Sequence, residues 1–229
     1  MSYTLREVPA AEGNCGGPRK TADIRYLVIH YTGNDGDTAA NNAAYFCNRV
    51  VEASAHYFVD DTTVYCSVPD LRIAWAVGGK KYANCGEIGG GKLYGVVTNT
   101  NSISVELCGT GEGRSASEET LQNAVALCRE LMKKYGIPLE RVCRHFDVTG
   151  KLCPAYLVEE AAWKAFKKRL EEPDADNTPA PYAIEAVHWA QENGILQGDA
   201  SGNLMLTQPC TRQQRAVFLH RLGKLTAEE

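Results

Sequence analysis

Ile24-Arg25-Tyr26-Leu27-Val28-Ile29-His30-Tyr31-Thr32 is the stretch from which the fold is read. A near-continuous β-branched and aromatic run predicts a central strand, and Gly33-Asn34-Asp35-Gly36-Asp37 ends it in a turn cluster. Residues 38–51 follow with apolar positions at 40, 43, 44, 47, 50 and 51, a helical spacing. Residues 55–59 and 63–68 predict two strands joined at Asp60-Asp61 as a hairpin. Residues 78–95 are Gly-rich and irregular, and predict a long loop of the kind that often carries function. Residues 102–108 predict another strand.

The clearest helix is residues 115–136. Ser115 and Glu118 fit a capping box, Leu121, Val125, Leu127, Cys128 and Leu131 form an apolar stripe, and Gly136 with Pro138 stops it. Residues 142–145 predict a short strand leading into a loop, and residues 155–170 a last helix carrying Trp163 and Phe166. Strands interleaved with helices give an α/β class with a mixed central β-sheet flanked by helices.

After that helix the composition changes. Residues 171–181 hold three prolines and four acidic residues, the makeup of a semi-extended linker. Residues 182–193 then form an amphipathic pattern closed by Gly194, residues 198–202 a turn, and Thr211 to Gln214 the cap of a second helix reaching Leu222. The expected organisation is a domain over 1–171, a linker over 172–181 and a small helical C-terminal domain over 182–229. His188 and His220 fall on these small-domain helices near apolar neighbours, and read as structural or solvated.

Composition bounds the function. The 229 residues are 44% hydrophobic and 23% charged, ordinary globular usage that excludes a disordered or collagenous chain. A net charge of −4 argues against a nucleic-acid partner. Apolar runs reach only five residues, as at Ile73 to Val77, far short of the ~20 that span a bilayer, so no membrane helix is expected. The opening Met1-Ser2-Tyr3-Thr4-Leu5-Arg6-Glu7 lacks a basic start and apolar stretch, which predicts synthesis in the cytoplasm without a signal peptide. Nine cysteines show no repeating framework, and several sit inside apolar segments as small buried hydrophobes.

His30 ends the first strand, and Arg144-His145-Phe146-Asp147-Val148-Thr149-Gly150-Lys151-Leu152-Cys153-Pro154 brings a second histidine and a cysteine close together in sequence. Imidazole and thiolate are favoured zinc ligands, and three protein ligands with one open position mark a catalytic site. A lone strand-end histidine is more often a satisfied structural residue, and a Cys before Pro is ordinary, so the residues alone leave both readings open.

Four segments resemble the type-2 N-acetylmuramoyl-L-alanine amidase family, which includes phage lysozyme-amidases and is related to peptidoglycan recognition proteins. They are Leu27 to Thr32, Ser54 to Val59, Asn101 to Leu107 and His145 to Pro154, in the family's order. The steps from His145 to Lys151 and from Lys151 to Cys153 follow the phage-type pattern, and the likeness runs from about Ile24 to Trp163. The resemblance implies a zinc ion (Zn²⁺) held by His30, His145 and Cys153 with water in the fourth position. It implies bacterial peptidoglycan as partner and substrate, cut between N-acetylmuramic acid and the L-alanine of the stem peptide. Glu106 stands at the family's acidic position as proton carrier, and Lys151 is placed to face the developing oxyanion.

His56, Tyr57, Trp75 and Asn101 are the substrate-facing positions that the resemblance suggests. His56 reads as a packing or hydrogen-bonding residue behind the ligands rather than a ligand itself, and Trp75 as a core residue in preference to a sugar-stacking one. Ala55 stands where some phage members carry Tyr, and Trp75 is followed by Ala76 where the family has a Trp-His pair. Residues 182–199 with Thr211-Arg212 resemble a single S-layer-homology repeat, a unit that binds secondary cell-wall polymer, usually as a set of three. A lone repeat leaves weak binding, assembly with other copies or docking on the amidase as options.

The combined reading is a phage or prophage endolysin of a Gram-positive host, acting at the cell wall after a holin-type release. A bacterial autolysin, a non-catalytic peptidoglycan-binding module and a structural wall anchor are the alternatives.

Overall fold

A computed structural model describes residues 3–82, 89–171, 177–198, 202–207 and 209–225. The chain divides into two compact units, Met1–Glu172 and Pro173–Glu229. The large unit runs in the order β1 (Thr4–Glu7), β2 (Cys15–Pro18), β3 (Tyr26–Tyr31), α1 (Ala39–Asn48), β4 (Tyr57–Val59), β5 (Thr63–Cys66), β6 (Arg72–Ala74), β7 (Ser102–Leu107), α2 (Glu118–Tyr135), β8 (Val142–Arg144), α3 (His145–Thr149) and α4 (Glu160–Glu171). Six strands form a sheet in the order β1-β5-β4-β7-β3-β8, and β2 pairs with β6 as a separate ribbon. β4 and β5 are antiparallel while the other pairs of the large sheet are parallel, so the sheet is mixed, as the sequence predicts.

The decisive stretch is an interior strand, one in from the edge strand β8 and hydrogen-bonded on both sides. Successive side chains of a strand face opposite ways, and here the two faces differ in chemistry. Leu27 and Ile29 of β3, Ile103, Val105 and Leu107 of β7 and Val59 of β4 pack with Leu127, Cys128 and Leu131 of α2 and Trp163, Phe166 and Leu170 of α4. Each such fully buried large side chain contributes about 1.5–3 kcal/mol. On the opposite face Val28 packs with Cys143 and Val148, and Phe58 with Ala39 and Ala43 of α1. His30 and Glu106, paired in register, share that second face. A run that looks uniformly apolar therefore carries one histidine on the face that α2 and α4 leave uncovered.

Several local expectations change. The N-cap of α2 is Ser117, whose Oγ accepts from the Thr120 N–H at 3.1 Å. Ser115 instead donates to the Glu112 carbonyl in the turn before it. Gly136, at φ 62°, closes α2 in the left-handed conformation that glycine favours. The predicted loop after β8 begins as the short helix α3. The last helix starts at Glu160 rather than 155, because Ala155–Leu157 forms a separate 3-10 turn. The hairpin between β4 and β5 is set by Asp60, whose Oδ1 accepts from the Thr62 and Thr63 N–H groups and whose Oδ2 accepts from the Ala39 N–H. Of the predicted loop 78–95, residues 83–88 lie outside the described residues.

The small unit holds a 3-10 turn at Pro181–Ala183, α5 (Ile184–Glu192) and α6 (Arg212–Leu225). Gly194, at φ 65°, follows α5. Thr211 caps α6 reciprocally: its Oγ1 accepts from the Gln214 N–H, and Gln214 Oε1 accepts from the Thr211 N–H. The predicted turn at 198–202 falls largely on residues 199–201, outside the described residues. His188 and His220 are exposed. Among the described residues no helix is long and apolar enough to cross a membrane.

Candidate metal centre

His30 comes from the C-terminal end of β3, Glu106 sits beside it on β7, His145 opens α3, and Cys153 follows that helix. One ligand atom from each of His30, His145 and Cys153 lies within 4.8 Å of the others. Cys153 Sγ is 3.9 Å from His30 Nδ1, and the two imidazole centroids are 4.7 Å apart. All three residues are buried, at 1%, 6% and 1% exposure.

Burial without partners makes this arrangement informative. His30 Nε2, His145 Nδ1 and Glu106 Oε2 are buried and make no hydrogen bond. An orphaned buried polar atom costs about 1–3 kcal/mol, and the two orphaned imidazole nitrogens beside the Cys153 thiol suit an ion held by His30, His145 and Cys153. Desolvation, then the neighbouring His145 and Lys151, hold His30 well below the usual histidine value. Burial, then Lys151, brings His145 to about 4. Both imidazoles are thus neutral at pH 7 and able to donate a lone pair. Burial pushes the Cys153 thiol up to about 12, with Glu106 adding to the rise. An incoming cation must therefore displace the thiol proton, as thiolate ligation requires. Two imidazoles and one thiol around an open side fit zinc.

Glu106 Oε1 is 3.8 Å from His30 Nδ1, too long for a hydrogen bond. Desolvation raises its carboxyl to about 7 against the pull of Lys151, with Asp37 adding to the rise. Glu106 and Lys151 line a cleft of about 500 Å³ whose other walls include Thr32, Asn34, Asp37, Asn41 and Tyr45. Asp37 is fixed there, accepting from the Gly109 N–H at 2.6 Å and from the Asn42 amide at 2.6 Å. The sequence placed Asn34 and Asp37 in a turn cluster but did not single them out for the site. Gly-Asn-Asp composition directly after a strand-end histidine was the available signal.

The structure brings His30, His145, Cys153, Glu106 and Lys151 together and places the four expected substrate contacts elsewhere. His56 is buried behind the sheet face: Arg19 Nη2 lies 2.7 Å from its Nε2, and Ser104 Oγ 3.0 Å from its Nδ1. The Ser104 backbone N–H donates to Nδ1 at 3.0 Å, and the His56 N–H donates to Ser104 Oγ at 3.1 Å. Arg19 also donates to the carbonyls of Asp70 and Ser102, so His56 belongs to a strut tying segments together. Tyr57 points to the other face, where its hydroxyl donates to Asp70 Oδ1 at 2.7 Å. Asn101 sits at the opposite end of β7, about 17 Å from Glu106 at 3.3 Å per residue. Its side chain there braces a turn through Thr98 and Val96. Trp75 is half-buried and lines neither the ligand cluster nor the cleft.

Comparison with known proteins bears on these residues. Residues 20–156 match the N-acetylmuramoyl-L-alanine amidase family, and residues 173–214 match the S-layer homology domain. The chain is 31% identical over 191 residues to the N-acetylmuramoyl-L-alanine amidase CwlL of Bacillus licheniformis, which covers 80% of this chain and 51% of that protein. The chain spans about half the length of the curated relatives it matches. Among solved structures, PlyL superposes with a TM-score of 0.57 at 30% identity, covering 74% of this chain and 97% of that one. A mutant endolysin from Bacillus subtilis superposes with a TM-score of 0.58 at 25% identity, covering 73% and 99%.

Proposed function

The chain belongs to the N-acetylmuramoyl-L-alanine amidase family, and on that premise we propose that its large unit is a zinc-dependent hydrolase of bacterial peptidoglycan, cutting between N-acetylmuramic acid and L-alanine. The observation that carries this reading is the buried His30–His145–Cys153 cluster at the end of the sheet, with the Glu106 carboxyl beside it. Zinc bound by those three residues would supply a Lewis acid for the scissile carbonyl and an acidified water.

The chain's own residues supply the rest. Glu106, with a carboxyl near pH 7, can accept a proton from the attacking water and return it to the leaving amide nitrogen. The Lys151 ammonium, lining the same cleft, faces the oxygen on which negative charge develops. The S-layer-homology unit is proposed to bind a cell-wall polymer and hold the hydrolase near its substrate, raising its effective concentration there. The likeness to an endolysin from Bacillus subtilis supports a phage or prophage endolysin that acts on the wall after release.

The test is mass spectrometry of purified Gram-positive peptidoglycan digested by the full chain, beside a chelated sample and His145→Ala. Stem peptides with a free N-terminal alanine, absent from both controls, are the expected products. Reducing sugar ends would instead mean a glycosidase. Wall binding without any release would mean a recognition module.

A further inference from the structure

We propose that the small unit associates with a second copy of this chain, seating the acidic, aromatic stripe of α5 against the basic stripe of the partner copy's α6. Neither helix contributes a buried residue, and among the described residues of the unit only Ile195 and Asn203 are buried. Its apolar side chains are left largely in water: Tyr182 is 93% exposed, Trp189 48% and Leu219 69%. Single exposed apolar residues are ordinary, but contiguous ones mark an interaction surface.

The two helices carry opposite charge. Glu185 and Glu192 are the only Asp, Glu, Lys or Arg residues of α5. α6 holds Arg212, Arg215, Arg221 and Lys224 and no acidic residue. Each charge set shares a face with apolar groups. Tyr182, Glu185, His188, Trp189 and Glu192 recur at helical spacing and line one groove of about 590 Å³. Arg212, Arg215 and Leu219 recur at the same spacing on α6, because residues three and four apart stack on one face. Arg221 is engaged inside the unit, donating to the Ile195 carbonyl at 2.9 Å, so Arg212 and Arg215 are the cations assigned to the partner.

Charge complementarity selects the occupant. An anionic polymer would cover α6 and be repelled by the carboxylates of α5, leaving the indole and phenol exposed. A second copy covers both stripes at once, each copy's α5 meeting the other's α6 in an isologous two-fold contact.

Sedimentation velocity of the full chain without wall material, over ~1–100 μM at low salt, tests this. Because no substrate or wall is present, its outcome is separate from that of the amidase and wall-binding readings. The expected result is a mass that rises with concentration above that of a single 25.0 kDa chain. Leu219→Glu, with helicity by circular dichroism unchanged, weakens association about tenfold or more. Glu192→Arg and Arg215→Glu each weaken it by about tenfold at low salt, and their combination in one chain restores it to within about threefold. A monomer at every concentration overturns the proposal, as does a Leu219→Glu chain that associates as tightly as wild type or a combined exchange no better than either single change. A monomeric chain whose Arg215→Glu variant loses binding to purified walls would make the polymer the occupant instead.

Discussion

Glu106 and His56 show how the same sheet face sets two side chains to opposite tasks. Glu106 is a carboxyl that burial lifts to about 7, the range in which it can take and give back a proton near neutral pH. Glu106→Gln keeps the shape and removes the proposed proton carrier, so turnover on peptidoglycan should fall about 10²–10⁴-fold. Zinc per chain, read by atomic emission, should stay at the wild-type level. Turnover within about threefold of wild type would assign the proton to another group. His56 is held to about 3 by burial and by the Arg19 guanidinium. Below the ordinary value of 6.5 the unfolded chain takes up a proton that folded His56 refuses, so the folded state loses ground as pH falls through that window. Each pH unit there removes about 1.4 kcal/mol from this source. The melting temperature of wild type should therefore drop more steeply from pH 6.5 to about 4 than that of His56→Gln, itself less stable at neutral pH. Parallel slopes would show that His56 titrates normally. The sequence named both residues but separated their tasks only incompletely. Glu106 was legible as a strand carboxylate, whereas His56 depends on Arg19, 37 residues away, which no local pattern announces.

Among the elements, legibility tracked length and periodicity. β3 and α2 stood out because a strand buried on both faces and an 18-residue amphipathic helix each carry a long signal. The cap of α2 was misplaced by two residues because Ser115 and Ser117 both precede acidic residues, and only the backbone geometry decides between them. β1, β2 and β6 were missed, being three or four residues long, and β1 is exposed throughout with no alternation to read. α3 was missed for the same reason, yet its five residues begin with His145, one of the three proposed metal ligands. What holds it is the Gly-rich loop: Gly91 N–H donates to the Phe146 carbonyl, Leu93 N–H to the Asp147 carbonyl and Tyr82 N–H to the Thr149 carbonyl. Gly90 lies against the helix so closely that a Cβ there would stand 2.7 Å from the Phe146 ring and 2.9 Å from Gly150 Cα. Gly90→Val should push loop and helix apart and displace His145, lowering the melting temperature by several degrees and zinc affinity about tenfold. Competition against a chromophoric chelator reads the affinity. Unchanged affinity with a lowered melting temperature would mean that the ligands hold position without the loop.

At the scale of the whole molecule, the two units are built on different reserves of stability. The large unit buries the side chains of β3, β7, α2 and α4 in one continuous core, while the helices of the small unit bury none. The sequence announced the division through its proline-rich acidic stretch. It could not announce the difference in burial, because the apolar residues of α5 and α6 read as a core-facing stripe whether or not anything covers them. A ligand held only by the folded state stabilises the unit that binds it by RT ln(1 + [L]/Kd), about 4 kcal/mol at a thousandfold excess over Kd. The proposed zinc ligands all lie in the large unit. Scanning calorimetry of the full chain should therefore show two transitions, a broad one of low enthalpy for the small unit and a sharp one for the large. Chelation should lower the sharp transition by roughly 10 °C while leaving the broad one in place. A single transition, or an equal shift of both, would mean that the units unfold as one body. An unmoved sharp transition would count against a metal held by His30, His145 and Cys153.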